Sequence, residues 1–199
     1  MGPVRQLHRC FELIKVLFWF QRRFLCLKNH LNMVSKIGFG GSCHWCTEAI
    51  FQSLKGVVQV EQGWISSRAE HSSFSEAVLV YFETDSISLE TLIEIHLHTH
   101  SCTSNHEMRP KYRSAIYTFT DQQAELSRET ITALQRDFDD PIITQVIAFQ
   151  DFRLNQQAYL NYYYSNPDKP FCKNIVSVKL RLLLNQFSAV VDKTKLPSV

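Results

Sequence analysis

The order in which apolar periodicity changes between residues 36 and 149 constrains the fold of this chain more than any other feature. A short apolar strand, Ile37 to Phe39, runs through Gly40, Gly41 and Ser42 into a helix that carries Ile50, Phe51 and Leu54 at three- and four-residue spacing. Gly56 ends that helix, and Val57 to Trp64 reads as a strand. Ala77 to Phe82 is almost wholly apolar, the pattern of a central strand covered on both faces. Ser88 then caps a helix whose Leu89, Leu92, Ile93, His96 and Leu97 share one face. Arg113 to Phe119 returns as a strand, and Thr120 with Gln123 forms a capping box ahead of a helix that buries Ala124, Ile131, Leu134 and Phe138. A turn at Asp139, Asp140 and Pro141 leads to a further strand, Ile142 to Phe149. A polar, tyrosine-rich stretch follows to Pro170, then Cys172 and a tail with the apolar run Leu180 to Leu184. Strand, helix, strand, strand, helix, strand is the order of the split βαβ unit. The expected class is α+β: a two-layer mixed sheet with a ferredoxin-like core, helices on one face and an irregular C-terminal segment.

Residues 33–199 are assigned to that domain, which at this length buries a sizeable core. Residues 1–32 form a basic, aromatic-rich extension with six Lys or Arg against one Glu, leaving 15 basic and 18 acidic residues, a net of −3, from Met33 onward. Three readings of the extension stand together: a mis-assigned start with translation beginning at Met33, a targeting or membrane-surface helix, and an accessory element. A mildly acidic domain argues against a nucleic-acid partner. No stretch of about 20 uninterrupted apolar residues is present, so no membrane span is expected, and a monomer is the default. The six cysteines lack the regular density of a secreted disulfide scaffold, which favours a reducing compartment and a cytoplasmic location. Cys10, Cys26 and Cys102 read as plain buried thiols.

One segment asks for chemistry. Gly40-Gly41-Ser42-Cys43-His44-Trp45-Cys46-Thr47-Glu48 delivers a cysteine to the start of a helix, where unpaired backbone N–H groups and the helix dipole stabilise a thiolate. Many strand-glycine-helix junctions bind phosphate or nothing, so the turn alone does not define a nucleophile. Cys46 has two readings, a redox partner of Cys43 or a small residue filling a tight slot. A rival function is zinc binding, because Cys43 and Cys46 have ligand spacing and His96, His98, His100, Cys102 and His106 cluster in sequence. On a helix, however, His98 points away from the face shared by His96 and His100. A generic dithiol oxidoreductase is a second rival.

Four segments resemble the A-type peptide methionine sulfoxide reductases. Ser42-Cys43-His44-Trp45-Cys46-Thr47-Glu48 is similar to that family's Gly-Cys-Phe-Trp-Gly followed by Glu, and Lys111-Tyr112-Arg113-Ser114-Ala115-Ile116-Tyr117 to its Gln-Tyr-Arg-Ser-Ala-Ile-Tyr. Ser75-Glu76-Ala77-Val78 stands where the family has His-Ala-Glu, and Asn166-Pro167 with Pro170-Phe171-Cys172 resembles the segment carrying its recycling cysteine. The resemblance implies that the Cys43 thiolate attacks the sulfoxide sulfur while Glu76, held protonated, donates to the oxygen and Tyr112 assists. Trp45, with His44 in place of the usual Phe, would line the slot for the substrate methyl group, and Glu107 would stand for the family's Asp. Cys43 would become a sulfenic acid that Cys172 condenses to a disulfide, reduced in turn by thioredoxin or a similar dithiol. Substrates would be oxidised proteins or free methionine sulfoxide, with the S epimer preferred, and no cofactor or metal is implied. A family tyrosine in a longer glycine-rich loop has no counterpart between Ser66 and Glu76, and Asn155-Gln156 and Leu160-Asn161 replace two conserved pairs, so an inactive relative is a further alternative.

Overall fold

The computed structural model describes residues 33–196. The 1–32 extension, with Cys10 and Cys26, lies outside the described residues. From Val34 onward the chain forms one compact unit. Its elements are β1 (Val34–Gly40), α1 (His44–Gln52), β2 (Val57–Ser66), β3 (Ser75–Glu83), α2 (Leu89–Thr99), β4 (Ala115–Thr118), α3 (Asp121–Leu134), β5 (Gln145–Ala148), β6 (Asp151–Leu154), a short helix α4 (Tyr162–Ser165) and α5 (Ser177–Phe187).

The six strands form one sheet in the order β5-β4-β1-β3-β2-β6. Its inner four, β4-β1-β3-β2, are antiparallel throughout, which is the split βαβ core read from the sequence. β5 extends one edge in parallel with β4, making the sheet mixed, and β6 extends the other edge against β2. The apolar run expected to be central is central: β3 lies between β1 and β2, and Ala77, Val78, Leu79 and Val80 are at most 3% exposed.

Side chains that alternate along the strands separate the two faces. On one, Ile37, Phe39, Val78, Val80 and Phe82 pack against Ile50, Phe51 and Leu54 of α1 and Leu92, Ile93 and Leu97 of α2. Phe39 and Phe51 stack with ring centres 4.7 Å apart. On the other, Ile65, Ala77, Leu79, Ala115 and Tyr117 form a smaller cluster with Tyr81, Phe119, Ile147, Phe149 and Phe152. Helix starts follow the predicted caps: Ser88 Oγ accepts from Thr91 N, and Thr120 Oγ1 accepts from Gln123 N. The reciprocal bond of the second cap goes to Phe119 N rather than Thr120 N.

Three elements differ from expectation. Helix α3 buries Ala124, Ser127 and Thr130, while Ile131 and Leu134 are half-buried and Phe138 lies beyond the helix end, because the helix packs at the sheet margin. Strand β6, Asp-Phe-Arg-Leu, carries no alternating apolar pattern and owes its place to backbone pairing with the end of β2. Beyond β6 the C-terminal segment is irregular up to Lys169 apart from α4 and short turns. The apolar run Leu180 to Leu184 then lies on a helix that buries Leu180 and Leu183 against the core.

Candidate active site

Backbone geometry at the end of β1 sets the position of Cys43. Gly41 has φ +137, and a Cβ there would fall 2.6 Å from Cδ2 of His100, so both conformation and space require glycine. His100 is in turn fixed by Ser114, whose Oγ lies 2.8 Å from Nε2. Arg109 donates to the carbonyls of Gly41 at 3.2 Å and Tyr112 at 3.1 Å, tying the loop that carries Tyr112 to the glycine turn. From α5, the half-buried Lys179 ammonium donates to Ser42 Oγ at 3.1 Å and Thr99 O at 2.6 Å. Cys43 itself is the N-cap of α1, its carbonyl accepting from the backbone N–H groups of Cys46 and Thr47 at 3.1 and 3.2 Å.

Cys43, Cys46, Cys102 and Cys172 are unpaired thiols. The Cys43 pKa is lowered to about 7, first by a hydrogen bond from the Cys46 thiol and then by the Trp45 backbone N–H and the His44 side chain. Burial and the charge of Glu76 oppose that shift. Cys46 shifts upward because it is the donor to Cys43 and is buried. A low-pKa thiolate at a helix start was expected; the thiol that stabilises it supplies more than the helix N–H groups do.

Glu76, only 4% exposed, faces Cys43 from the start of β3. Its Oε2 accepts from the backbone N–H of His44 at 3.2 Å and lies 3.0 Å from His44 Nδ1. Its Oε1 pairs with the Lys111 ammonium at 3.2 Å. Burial pushes the carboxyl up, but His44 and Lys111 outweigh it and hold Glu76 below the usual carboxylate range. The expectation that Glu76 rests protonated is therefore corrected: two donor residues stabilise the carboxylate. Lys111 itself is raised, by the Tyr112 hydroxyl and by Glu76.

These groups line a pocket of about 410 Å³. Cys43, His44, Trp45, Glu76 and Tyr112 come together in it as the sequence analysis expects. Trp45 forms one wall, stacked on Tyr162 at 3.9 Å and edge-on to Phe171 at 5.6 Å. Glu107 does not join them. It is exposed in the turn between His106 and Lys111, where local backbone bonds from Arg109 to His106 and from Lys111 to Met108 turn it outward. Cys172 lies below the pocket wall rather than in it, fully buried in the core next to Phe171, with its thiol pushed up by burial. It sits near enough to Cys46 to raise the Cys46 pKa further.

Sequence reasoning missed Lys111, Trp64, Asn155 and Tyr159, which also line the pocket. Lys111 directly precedes the Tyr-Arg-Ser segment and was legible by position; Asn155 and Tyr159 reach the site only through the C-terminal segment. The histidines of α2 serve packing. His96 Nε2 lies 3.0 Å from Gly40 O, His100 bonds His96 O and Ser114, and His98 stacks on Phe138. Burial lowers both inward-facing imidazoles, His100 to about 4. Among the described residues no group of three or more His, Cys, Asp or Glu side chains is placed to hold a metal.

Fold and site define a thiol oxidoreductase in which a cysteine at a helix start faces a buried carboxylate across an aromatic-walled pocket. Residues 35–190 match the family model for peptide methionine sulfoxide reductase, and the chain belongs to that family. The activity that goes with membership is that of a peptide-methionine (S)-S-oxide reductase. Peptide methionine sulfoxide reductase MsrA from Trichodesmium erythraeum is 30% identical over 171 residues, covering 78% of this chain and 97% of that protein. The MsrA of Deinococcus radiodurans is 32% identical over 161 residues, covering 73% and 78%. Among solved structures, reduced Mxr1 from Saccharomyces cerevisiae aligns with TM-score 0.62 at 18% identity, over 70% of this chain and 89% of that one. Mxr1 in complex with Trx2 aligns with TM-score 0.53 at 18% identity, over 63% and 84%. At these identities the structural likeness speaks for the fold alone. Among the described residues, no helix is long and apolar enough to cross a membrane.

Proposed function

We propose that residues 33–199 reduce methionine S-sulfoxide, in oxidised proteins or free, to methionine, with Cys43 as the nucleophile. The observation that carries this reading is the convergence of a thiol lowered to about 7 and a buried carboxylate on one aromatic-walled pocket. Cys43 thiolate attacks the sulfoxide sulfur, and the sulfoxide oxygen, gaining basicity, takes a proton through Glu76. Counted from the Cys43 thiol, that proton is the one released on ionisation; counted from the thiolate, it is drawn from solvent water through Glu76, so the overall step, thiol plus sulfoxide to sulfenic acid plus thioether, balances. Substrate entry strips water from Glu76 and raises its proton affinity when the transfer is needed. Tyr112 assists beside Lys111, and Trp45 with Tyr162 supplies an apolar wall for the substrate's methyl group.

The oxygen passes to sulfur, leaving a Cys43 sulfenic acid and the thioether. A second thiol then condenses with the sulfenic acid, forming a disulfide and releasing water. Cys46 is the thiol in contact with Cys43, and Cys172 is the recycling cysteine the family pattern implies. An exogenous dithiol closes the cycle, and the Trx2 complex of the related Mxr1 supports a thioredoxin in that role. The cysteine spacing, unlike that of a secreted disulfide scaffold, supports a reducing compartment, in keeping with a cytoplasmic location.

The test is incubation with the separate S and R epimers of a blocked methionine sulfoxide and dithiothreitol, beside Cys43→Ser. Consumption of the S epimer alone, abolished by Cys43→Ser, is the expected result. No turnover of either epimer by folded, reduced protein would overturn the reading and favour a decayed site.

A further inference from the structure

The residue that replaces the family's phenylalanine, His44, is only 6% exposed, and its ring nitrogens lie 3.0 Å from Glu76 Oε2 and 3.1 Å from Asn155 Nδ2. A line of polar side chains runs from it away from Cys43 to a second buried carboxylate. Glu48, 2% exposed, accepts from Gln62 Nε2 at 2.8 Å, and its two oxygens also accept from the backbone N–H groups of Asn161 and Tyr162 at 2.9 and 3.4 Å. Gln62, fully buried, also donates through Nε2 to Tyr159 O at 3.0 Å. Both of those partners are acceptors, so the amide has one orientation and presents Oε1 to Asn155. Asn155 Nδ2 donates to that Oε1 at 2.8 Å, and Asn155 Oδ1 accepts from Gln156 N at 3.0 Å. Turning the Asn155 amide over would set oxygen against oxygen at Gln62 and N–H against N–H at Gln156. The remaining Nδ2 hydrogen faces His44 Nε2 at 3.1 Å, so Nε2 accepts. The ring proton therefore sits on Nδ1, 3.0 Å from Glu76 Oε2.

We infer that His44 is a positioning residue for the reduction: Asn155 and Gln62, anchored on Glu48, lock it as the Nδ1–H tautomer, and it pins Glu76 by one oxygen. Oε2 then accepts from the His44 backbone N–H and sits 3.0 Å from the protonated ring nitrogen, while Oε1 is the oxygen that trades a proton with the sulfoxide. A phenylalanine at this position would line the pocket but leave the carboxylate with a single restraint on Oε2. The consequence for rate rests on the function proposed above; the tautomer itself does not.

The experiment has two arms on the full-length protein. In the first, nitrogen NMR of selectively labelled histidine reads His44 directly, its signal assigned by loss in His44→Phe. The expected signature is a pyrrole-type Nδ1 and a pyridine-type Nε2 in the unaltered protein, shifting toward the Nε2–H form in Asn155→Ala. In the second, turnover of methionine S-sulfoxide is measured for His44→Phe and Asn155→Ala. Both are expected to lose kcat by roughly tenfold, part of the ~10²–10⁴-fold that a placed proton donor contributes, with KM within about twofold. An Nε2–H tautomer in the unaltered protein overturns the inference whatever the turnover. So does an unchanged kcat in both variants of an active enzyme. Absence of turnover in the unaltered protein strikes the proposed reaction instead, and leaves the tautomer to be judged by the first arm.

Discussion

At Cys43 the neighbours pull the thiol in opposite directions. The Cys46 hydrogen bond lowers its pKa most, and burial with the charge of Glu76 raises it. A depressed thiol pKa means that thiolate, and with it alkylation by iodoacetamide, grows as pH climbs through about 7. Cys46→Ala removes the principal donor, so the midpoint of the alkylation profile is expected to move up toward the ordinary thiol range. An unmoved midpoint would show that the helix N–H groups alone set it. Glu76→Gln separates acidity from catalysis. With one negative charge gone, the Cys43 midpoint is expected to fall, while kcat for the S-sulfoxide drops by ~10²–10⁴-fold for want of a proton path. A variant that alkylates at lower pH and turns over normally would remove Glu76 from the chemistry. The motif residues were legible in the sequence because a glycine turn, a helix start and a strand end place Cys43, Trp45 and Glu76 by local rules. Asn155 was not: it meets His44 across 111 residues, and no short-range pattern announces that approach. Glu107 was misplaced for the complementary reason, since a local turn overrode an alignment of carboxylates.

The elements do two jobs here, holding the Cys43 turn and closing the pocket. The turn is held from three directions: by His100 at the end of α2, by Arg109 in the loop before β4, and by Lys179 on α5. Gly41→Ala forces a Cβ into the His100 ring and leaves a side chain at a positive φ. The expected cost is about 1–3 kcal/mol of stability, read as a lower thermal midpoint, with a loss of turnover larger than stability alone explains. Unchanged melting and turnover would contradict the account of the turn. Apolar period and capping chemistry made the ferredoxin-like core readable, because β1, β3, α1 and α2 bury their patterned faces. β6 and the segment from Asn155 to Phe171 were not readable. Their order comes from pairing with β2, from Glu48 accepting the Asn161 and Tyr162 N–H groups, and from Trp45 stacking on Tyr162.

Across the whole molecule, one sheet carries both halves of the chemistry. β1 and β3 are neighbours, so the start of α1 and the start of β3 bring Cys43 and Glu76 to the same end of the sheet, and the C-terminal segment wraps over that end to complete the pocket. Cys172 hangs from the same segment beside Cys46, which joins the proposed recycling thiol to the site through the core rather than through the pocket. The central claim is that Cys43 takes oxygen from a sulfoxide within this one chain. Its most direct test is a single turnover: fully reduced protein is mixed with excess methionine S-sulfoxide and no reductant, methionine is counted, and thiols are mapped by mass spectrometry after alkylation. The account predicts about one methionine released per chain, with Cys43 found in a disulfide with Cys46 or Cys172. Methionine formed while Cys43 stays alkylatable, or none formed at all, would contradict it.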